Sequence, residues 1–219
     1  MDGFGFSHGS TDTAGVTGAM TAPEAAPPDD YVPLADGAPL WVFGYGSLMW
    51  NPGFPYDRRA AALLRGYHRR FCVYSHHYRG TPEQPGLVLG LARGGSCRGV
   101  AFEVPPEHAR PTLAYLWRRE MISEVYRPAL LSVRLPDGPV RACTFVARPA
   151  HEQYCPLTDP EDMAALIGKG HGLMGPNREY LVNTVRHLDE LGIADTALHR
   201  LAELVDRHTA GAPAHPHRL

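Results

Sequence analysis

The sequence around which the fold is built is Leu40-Trp41-Val42-Phe43-Gly44-Tyr45-Gly46-Ser47-Leu48-Met49-Trp50. Its first part contains the β-branched and aromatic residues that core strands favour. Gly44 and Gly46 then permit a sharp turn and a close approach of the backbone. The segment therefore predicts a buried strand that leads into a loop whose successive backbone N–H groups can bind an anion. A tight turn without a ligand is the alternative, because an isolated Gly-x-Gly is a weak signal.

The composition predicts one globular domain that acts on a small molecule. The chain has 219 residues, 44% of them hydrophobic, which is enough to build a core. Its net charge of −2 gives no basic surface for nucleic acid or for an anionic membrane. No apolar run has the length of a membrane span, and no Lys or Arg precedes Arg58, unlike in a secretory signal. We expect a monomer in the cytoplasm, without nucleic-acid or membrane partners.

Two terminal tails flank the predicted domain. Residues 1–38 are rich in Gly, Ala, Thr, Ser and Pro, and they show no periodicity that could bury one face, so a disordered tail is predicted. Residues 209–219 have a similar character. The folded domain is therefore predicted to span residues 39–208.

The order of elements in this domain predicts an α+β fold. Short runs rich in β-branched and aromatic residues indicate strands at 70–74, 87–91, 98–104, 130–135 and 140–147, and Pro136-Asp137-Gly138 indicates a hairpin turn between the last two. Helix-start signals follow at Asp159, Asn177 and Asp195. We expect a mostly antiparallel, curved sheet or barrel with helices packed on it.

A helix predicted from residue 107 to about 121 places a carboxylate on its apolar face. Leu113, Leu116, Trp117 and Glu120 follow helical spacing, and Arg118 and Arg119 are expected to point elsewhere. Burial of a carboxylate costs several kcal/mol unless the group is paired or its pKa rises. Two interpretations remain open: a salt bridge with an arginine from another strand, and a general base.

The remaining polar residues give weaker signals. The four cysteines lack the spacing of a metal site or of a disulfide framework, which fits reduced thiols, and His76 and His77 are interpreted as solvated loop residues. Motifs for metal, acyl-serine and nucleotide chemistry are missing, so no metal or cofactor is expected. Tyr180, near the start of a helix, is either a core tyrosine or a pocket residue.

Four segments closely resemble the ChaC family of γ-glutamylcyclotransferases, and they occur in the family's order: residues 41–52, 65–72, 116–122 and 175–181. After Glu120 the chain reads Met-Ile-Ser-Glu-Val-Tyr, whereas animal members carry Gly-Gly-Tyr shortly after the glutamate, so the chain resembles the bacterial branch. The resemblance implies a small barrel with helices, a cytosolic location and no cofactor.

The resemblance also implies an activity, the glutathione-specific cleavage that releases 5-oxoproline and cysteinylglycine. Glu120 aligns with the family's catalytic glutamate, the loop Tyr45-Gly46-Ser47-Leu48 resembles the one that holds the γ-glutamyl group, and Tyr180 resembles a tyrosine of the same pocket. Such a reaction needs no protein nucleophile, because the substrate's α-amino group can attack its own γ-carbonyl group. Two alternatives remain: the same chemistry on other γ-glutamyl amines or amino acids, and a non-catalytic module that binds a γ-glutamyl metabolite.

Overall fold

A closed barrel of five strands forms the centre of the molecule in this computed structural model, which describes residues 31–35 and 37–210. Its strands run in the order β1-β3-β2-β4-β5, and β5 pairs with β1 to close the barrel. Every neighbouring pair is antiparallel except β1 and β5, which are parallel. The predicted α+β class with a mostly antiparallel barrel is confirmed. The strands are β1 Leu40–Gly44, β2 Arg58–Ser75, β3 Gly86–Val104, β4 Tyr126–Leu135 and β5 Gly138–Ala147.

The two long strands, β2 and β3, pair along almost their whole length. The predicted strands at 87–91 and 98–104 are parts of the single strand β3, which continues through Gly94 and Gly95 at positive φ. Opposite them, Gly66 also has a positive φ, and the register shifts between Arg65 and Tyr67. These bulge-like glycines let the long pair bend around the barrel without ending.

The predicted hairpin joins β4 to β5. Leu135 pairs with Gly138, whose φ of 138° lies in the region that favours glycine. By contrast, β2 pairs with β4 only at Leu63 and Leu64, so these two neighbouring strands of the barrel are joined over a short contact.

Four helices pack on the barrel: α1 Pro106–Glu120, α2 Pro160–Lys169, α3 Asn177–Glu190 and α4 Thr196–Ala210. The carboxylate of Asp159 accepts a hydrogen bond from the Glu161 amide, and Asp195 does the same for the Leu198 amide, as N-caps do. A small sheet of β6 (His171–Gly172) and β7 (Gly175–Pro176) precedes α3. None of the helices within the described ranges is long and apolar enough to cross a membrane.

The packed part of the chain begins before the predicted boundary at residue 39. The hydroxyl of Tyr31 donates a hydrogen bond of 2.6 Å to the Leu113 carbonyl of α1, and Val32 is buried. At the other end, α4 continues to Ala210. Residues 1–30 and 211–219 of the two predicted tails lie outside the described residues, so their disorder stays a prediction.

Candidate active site

The loop Tyr45–Leu48, here called the substrate loop, leaves the barrel at the end of β1. Residues Ser47–Met49 form one 3₁₀ turn, in which the Met49 amide donates to the Gly46 carbonyl at 2.9 Å. A Cβ atom on Gly44 would lie 3.1 Å from the Cβ of Leu48, so glycine avoids a close contact where the loop folds back on the strand. The predicted tight turn after the strand is therefore present.

A buried arginine from β2 fixes the start of this loop. The Arg69 side chain is 2% exposed, and its Nε donates a hydrogen bond to the Tyr45 carbonyl. Its other nitrogens bind the Arg98 carbonyl and the carboxylate of Asp195. Since a buried guanidinium must be paired and hydrogen-bonded, these acceptors hold Arg69 in place and Arg69 in turn holds the loop.

All six site residues predicted from the sequence line one cavity of about 280 Å³, here called the Glu120 cavity. Glu120 enters it from the last position of α1, the substrate loop from β1, and Tyr180 from α3. The structure thus brings together residues from three separate parts of the chain. Six further residues complete the lining: Tyr78, Val88, Leu89, Arg119, Tyr126 and Phe145.

Glu120 is the carboxylate of this cavity. Its side chain is 18% exposed, and burial raises its pKa above the ordinary glutamate range. The neighbouring Arg119 opposes this shift, because its Nε lies 3.4 Å from Oε1 of Glu120, but burial is the larger effect. The carboxylate is therefore paired within its own helix, and not with an arginine from another strand.

Arg119 was expected to point away from the apolar face, and that expectation is wrong. Its guanidinium donates hydrogen bonds of 2.9 Å to Oγ of Ser47, 2.8 Å to the Tyr115 hydroxyl and 2.8 Å to the Asn51 carbonyl. One side chain thus connects Glu120 to the substrate loop. The sequence signal was available, since position 119 is three residues after the buried Leu116 and a long side chain can reach back over that face.

The cavity also contains tyrosines that remain protonated at neutral pH. Burial raises the pKa of Tyr180 to about 12, and it raises the pKa values of Tyr45 and Tyr126 well above the ordinary value. The hydroxyl of Tyr126 donates to the Leu89 carbonyl at 2.5 Å. These groups can form hydrogen bonds with a ligand but cannot act as bases. Tyr126 and Tyr78 had not been singled out from the sequence.

The thiols have the properties of structural cysteines. All four are buried and none forms a disulfide, and burial raises the pKa of Cys97 to about 11 and those of Cys72 and Cys143 to about 12. A nucleophilic thiol needs a lowered pKa, so none of these three is suited to covalent catalysis. Within the described part of the chain, no three His, Cys, Asp or Glu residues are grouped as a metal ion would require.

His76 and His77 lie in the loop that follows β2, as predicted from the sequence. Both are half-buried, and both line a second cavity that adjoins Glu120.

Comparison with known proteins agrees with this geometry. A model of the ChaC-like protein family matches residues 40–208. The chain is 40% identical over 167 residues to the glutathione-specific gamma-glutamylcyclotransferase of Escherichia coli K12. This alignment covers 76% of this chain and 72% of that protein. Human glutathione-specific gamma-glutamylcyclotransferase 1 is 34% identical over 186 residues, or 82% of this chain and 83% of that protein.

The fold is also that of a solved relative. A crystal structure of a yeast gamma-glutamyl cyclotransferase specific to glutathione superimposes with a TM-score of 0.72, over 80% of this chain and 99% of that chain. Its sequence identity is 24%, so it supports the fold alone. The family match and the relatives together identify the chain as a member of the ChaC-like family of gamma-glutamylcyclotransferases.

Proposed function

We infer that the protein cleaves glutathione to 5-oxoproline and cysteinylglycine, with Glu120 as its general base. The observation that carries this proposal is the position of Glu120, a largely buried carboxylate of raised pKa that faces the same cavity as the substrate loop. The names of the Escherichia coli and human relatives point to the same substrate.

The reaction needs the α-amino group of the substrate to become a nucleophile. At neutral pH this amine is protonated, so a base must first take a proton from it. Glu120 would accept that proton, and its raised pKa brings it closer to the operating pH, where a general base works best. The free amine then attacks the γ-carbonyl carbon, and the new C–N bond closes a five-membered ring.

The second half of the reaction breaks the original amide bond. The tetrahedral intermediate collapses, the bond between the γ-carbonyl carbon and the cysteinyl nitrogen breaks, and the proton held by Glu120 moves to the leaving amine. The ring nitrogen then still carries one proton more than a neutral lactam, and this second proton passes through Glu120 to the same amine, so that cysteinylglycine leaves as an ammonium ion. No water is consumed, because the substrate supplies the nucleophile. One carboxylate that takes a proton and returns it is therefore sufficient for both transfers.

The substrate loop would hold the γ-glutamyl end in a reactive geometry. The Met49 and Trp50 amides are used within the 3₁₀ turn, whereas the first amides of such a turn have no internal partner. Those of Ser47 and Leu48 could bind the α-carboxylate or stabilise the developing oxyanion, and the sequence and geometry are compatible with either role. Holding the amine close to the carbonyl group removes much of the entropic barrier to cyclisation.

The direct test is to incubate the purified protein with glutathione and a panel of γ-glutamyl amino acids and amines, and to measure 5-oxoproline by mass spectrometry. We expect 5-oxoproline and cysteinylglycine in equal amounts from glutathione. Faster release from another γ-glutamyl compound would identify a different substrate within the same chemistry. Stoichiometric binding of glutathione without turnover would contradict the enzymatic proposal and support a binding module.

A further inference from the structure

Glu120 lies where two cavities meet. The second, here called the His76 cavity, has a volume of about 300 Å³ and shares Tyr78, Val88, Arg119, Glu120 and Tyr126 with the Glu120 cavity. Its remaining lining comes from the end of β2 and the following loop, from the two residues after Met121, and from Gln153. The substrate loop does not contribute to it.

We propose that the His76 cavity binds the leaving half of the substrate, a dipeptide that ends in a free carboxylate, and that His76 and His77 bind this carboxylate. The inference rests on the proposed function. A group that returns a proton to the leaving amine must lie beside the bond that breaks. The two halves of the substrate therefore extend from Glu120 in different directions, and each cavity takes one half.

The side chains of the His76 cavity suit such a dipeptide. Val73, Val88 and Ile122 offer apolar contact to the cysteinyl side chain, while the imidazoles of His76 and His77 offer hydrogen-bond donors. Glu120 is the only carboxylate among the described residues that line the cavity.

The imidazoles are available for a ligand. Neither the His76 ring nor the His77 ring forms a hydrogen bond with another described residue. The histidine rings that do so are those of His68, His151, His187, His199 and His208.

The loop that carries the two histidines is fixed by its neighbours. The carbonyls of His77 and Tyr78 each accept a 2.9 Å hydrogen bond, from the amides of Leu173 and Met174 in the turn between β6 and β7. A Cβ on Gly172 would lie 2.5 Å from the His77 carbonyl oxygen, so the turn approaches the loop closely. Because the backbone is held in this way, little ordering is needed when a ligand binds to the imidazoles.

The test compares glutathione with its glycyl monoethyl ester, which lacks the terminal negative charge and carries an ethyl group on that carboxyl. A hydrogen bond to a charged group predicts that the unmodified protein prefers the acid by about tenfold to a hundredfold in kcat/KM. The double variant His76→Ala/His77→Ala, which removes every hydrogen-bond donor of the two side chains, should lower kcat/KM for the acid and leave that for the ester nearly unchanged, so that the preference falls to about twofold or less. The two single variants should each show part of this loss.

The matched control is His108→Ala, because His108 is exposed on α1 and lines neither cavity. It should retain the full preference for the acid. A second measurement uses the unmodified protein alone: cysteinylglycine should inhibit competitively, and cysteinylglycine amide should inhibit at least about tenfold more weakly.

Three results would overturn the inference. Equal kcat/KM for acid and ester in the unmodified protein would show that the carboxylate is not bound. An unchanged preference in the folded double variant would show that the two histidines do not bind it. Absence of 5-oxoproline from both compounds would overturn the proposed function, and the subsite with it, whereas the first two results leave the proposed function intact.

Discussion

Arg119 connects the proposed base to the substrate loop, and two substitutions separate its two effects. Arg119→Lys keeps the positive charge beside Glu120 but cannot reproduce the planar fork that reaches Ser47, Tyr115 and Asn51 together. Arg119→Met removes both the charge and the hydrogen bonds. In the unmodified protein, the 2.9 Å hydrogen bond from Arg119 to Oγ of Ser47 is the one that contacts the substrate loop.

The expected loss of activity follows from that hydrogen bond. A bond from a charged donor contributes about 1.5–3 kcal/mol, which corresponds to a factor of about 10 to 150 in kcat/KM. Both variants should show a loss of this size at their best pH. Only the methionine variant should also move the acid limb of the kcat/KM profile to higher pH, because Arg119 lowers the pKa of Glu120 and its removal leaves burial unopposed.

The assay is 5-oxoproline release from glutathione between about pH 4.5 and 9, with circular dichroism to verify that each variant is folded. Arg118→Met is the matched control, since Arg118 is the exposed neighbour of Arg119 on α1 and the substitution removes the same positive charge. It should resemble the unmodified protein. The reasoning is refuted if the Arg119→Met variant is folded and has its acid limb in the original position, or if Arg119→Lys moves the limb equally.

Four further predictions concern the same site and its support. Glu120→Gln should remain folded and lose at least about a hundredfold in the rate of 5-oxoproline release, because an amide cannot accept the proton; near-normal turnover would remove Glu120 from the mechanism. The same variant should gain in melting temperature relative to the unmodified protein as the pH rises from about 4 to 8, since the stability contributed by a carboxyl of raised pKa is complete below its unfolded pKa and is lost above its folded pKa; a constant difference would contradict the raised pKa. N-acetylglutathione should release no cysteinylglycine, because acetylation removes the nucleophile, and release at a rate like that of glutathione would indicate attack by water or by a side chain. Arg69→Met should lower the free energy of unfolding by about 3–5 kcal/mol in urea titrations, because it leaves the carboxylate of Asp195, 17% exposed, without its partner; a loss below about 1 kcal/mol would contradict the role of Arg69 as an anchor.

The parts of the fold that were predicted correctly have local signals. Asp159 and Asp195 begin helices with their own side chains, and Pro136-Asp137-Gly138 forms a hairpin turn in which glycine is required. Each of these signals depends on residues within a few positions of one another. They are therefore visible in the sequence without any knowledge of tertiary contacts.

The first half of β2 has no such signal. Residues 58–65 contain three consecutive alanines and three arginines, which have little preference for a strand. They are extended because they pair with β3 from Arg58 opposite Glu103 onwards, and that partner lies about 45 residues further along the chain. Tertiary pairing, which cannot be read from a short window of sequence, determines the secondary structure here.

The candidate site divides in the same way. Glu120 was found because it interrupts an apolar helical face, which is a local anomaly, and the substrate loop was found because two glycines follow a strand. Tyr126 carries no such anomaly, since a tyrosine at the start of a strand is common, and helical spacing indicates only that Arg119 can reach the apolar face, not which groups it binds there. Their importance depends on which other elements end at the same place.

The unequal lengths of β1 and β3 explain why several elements end at the Glu120 cavity. The short strand β1 stops at Gly44, opposite Val100, whereas its partner β3 extends fourteen residues further in that direction, to Gly86. Beyond the end of β1, β3 would be uncovered at Leu89, whose side chain belongs to the main hydrophobic core. The substrate loop, Glu120 and Tyr126 instead meet there and enclose the Glu120 cavity against it. An interpretation that divides β3 at its glycines does not show that residues 87–91 continue past the end of β1, so the correct residues could be named from the sequence while the cavity they enclose could not.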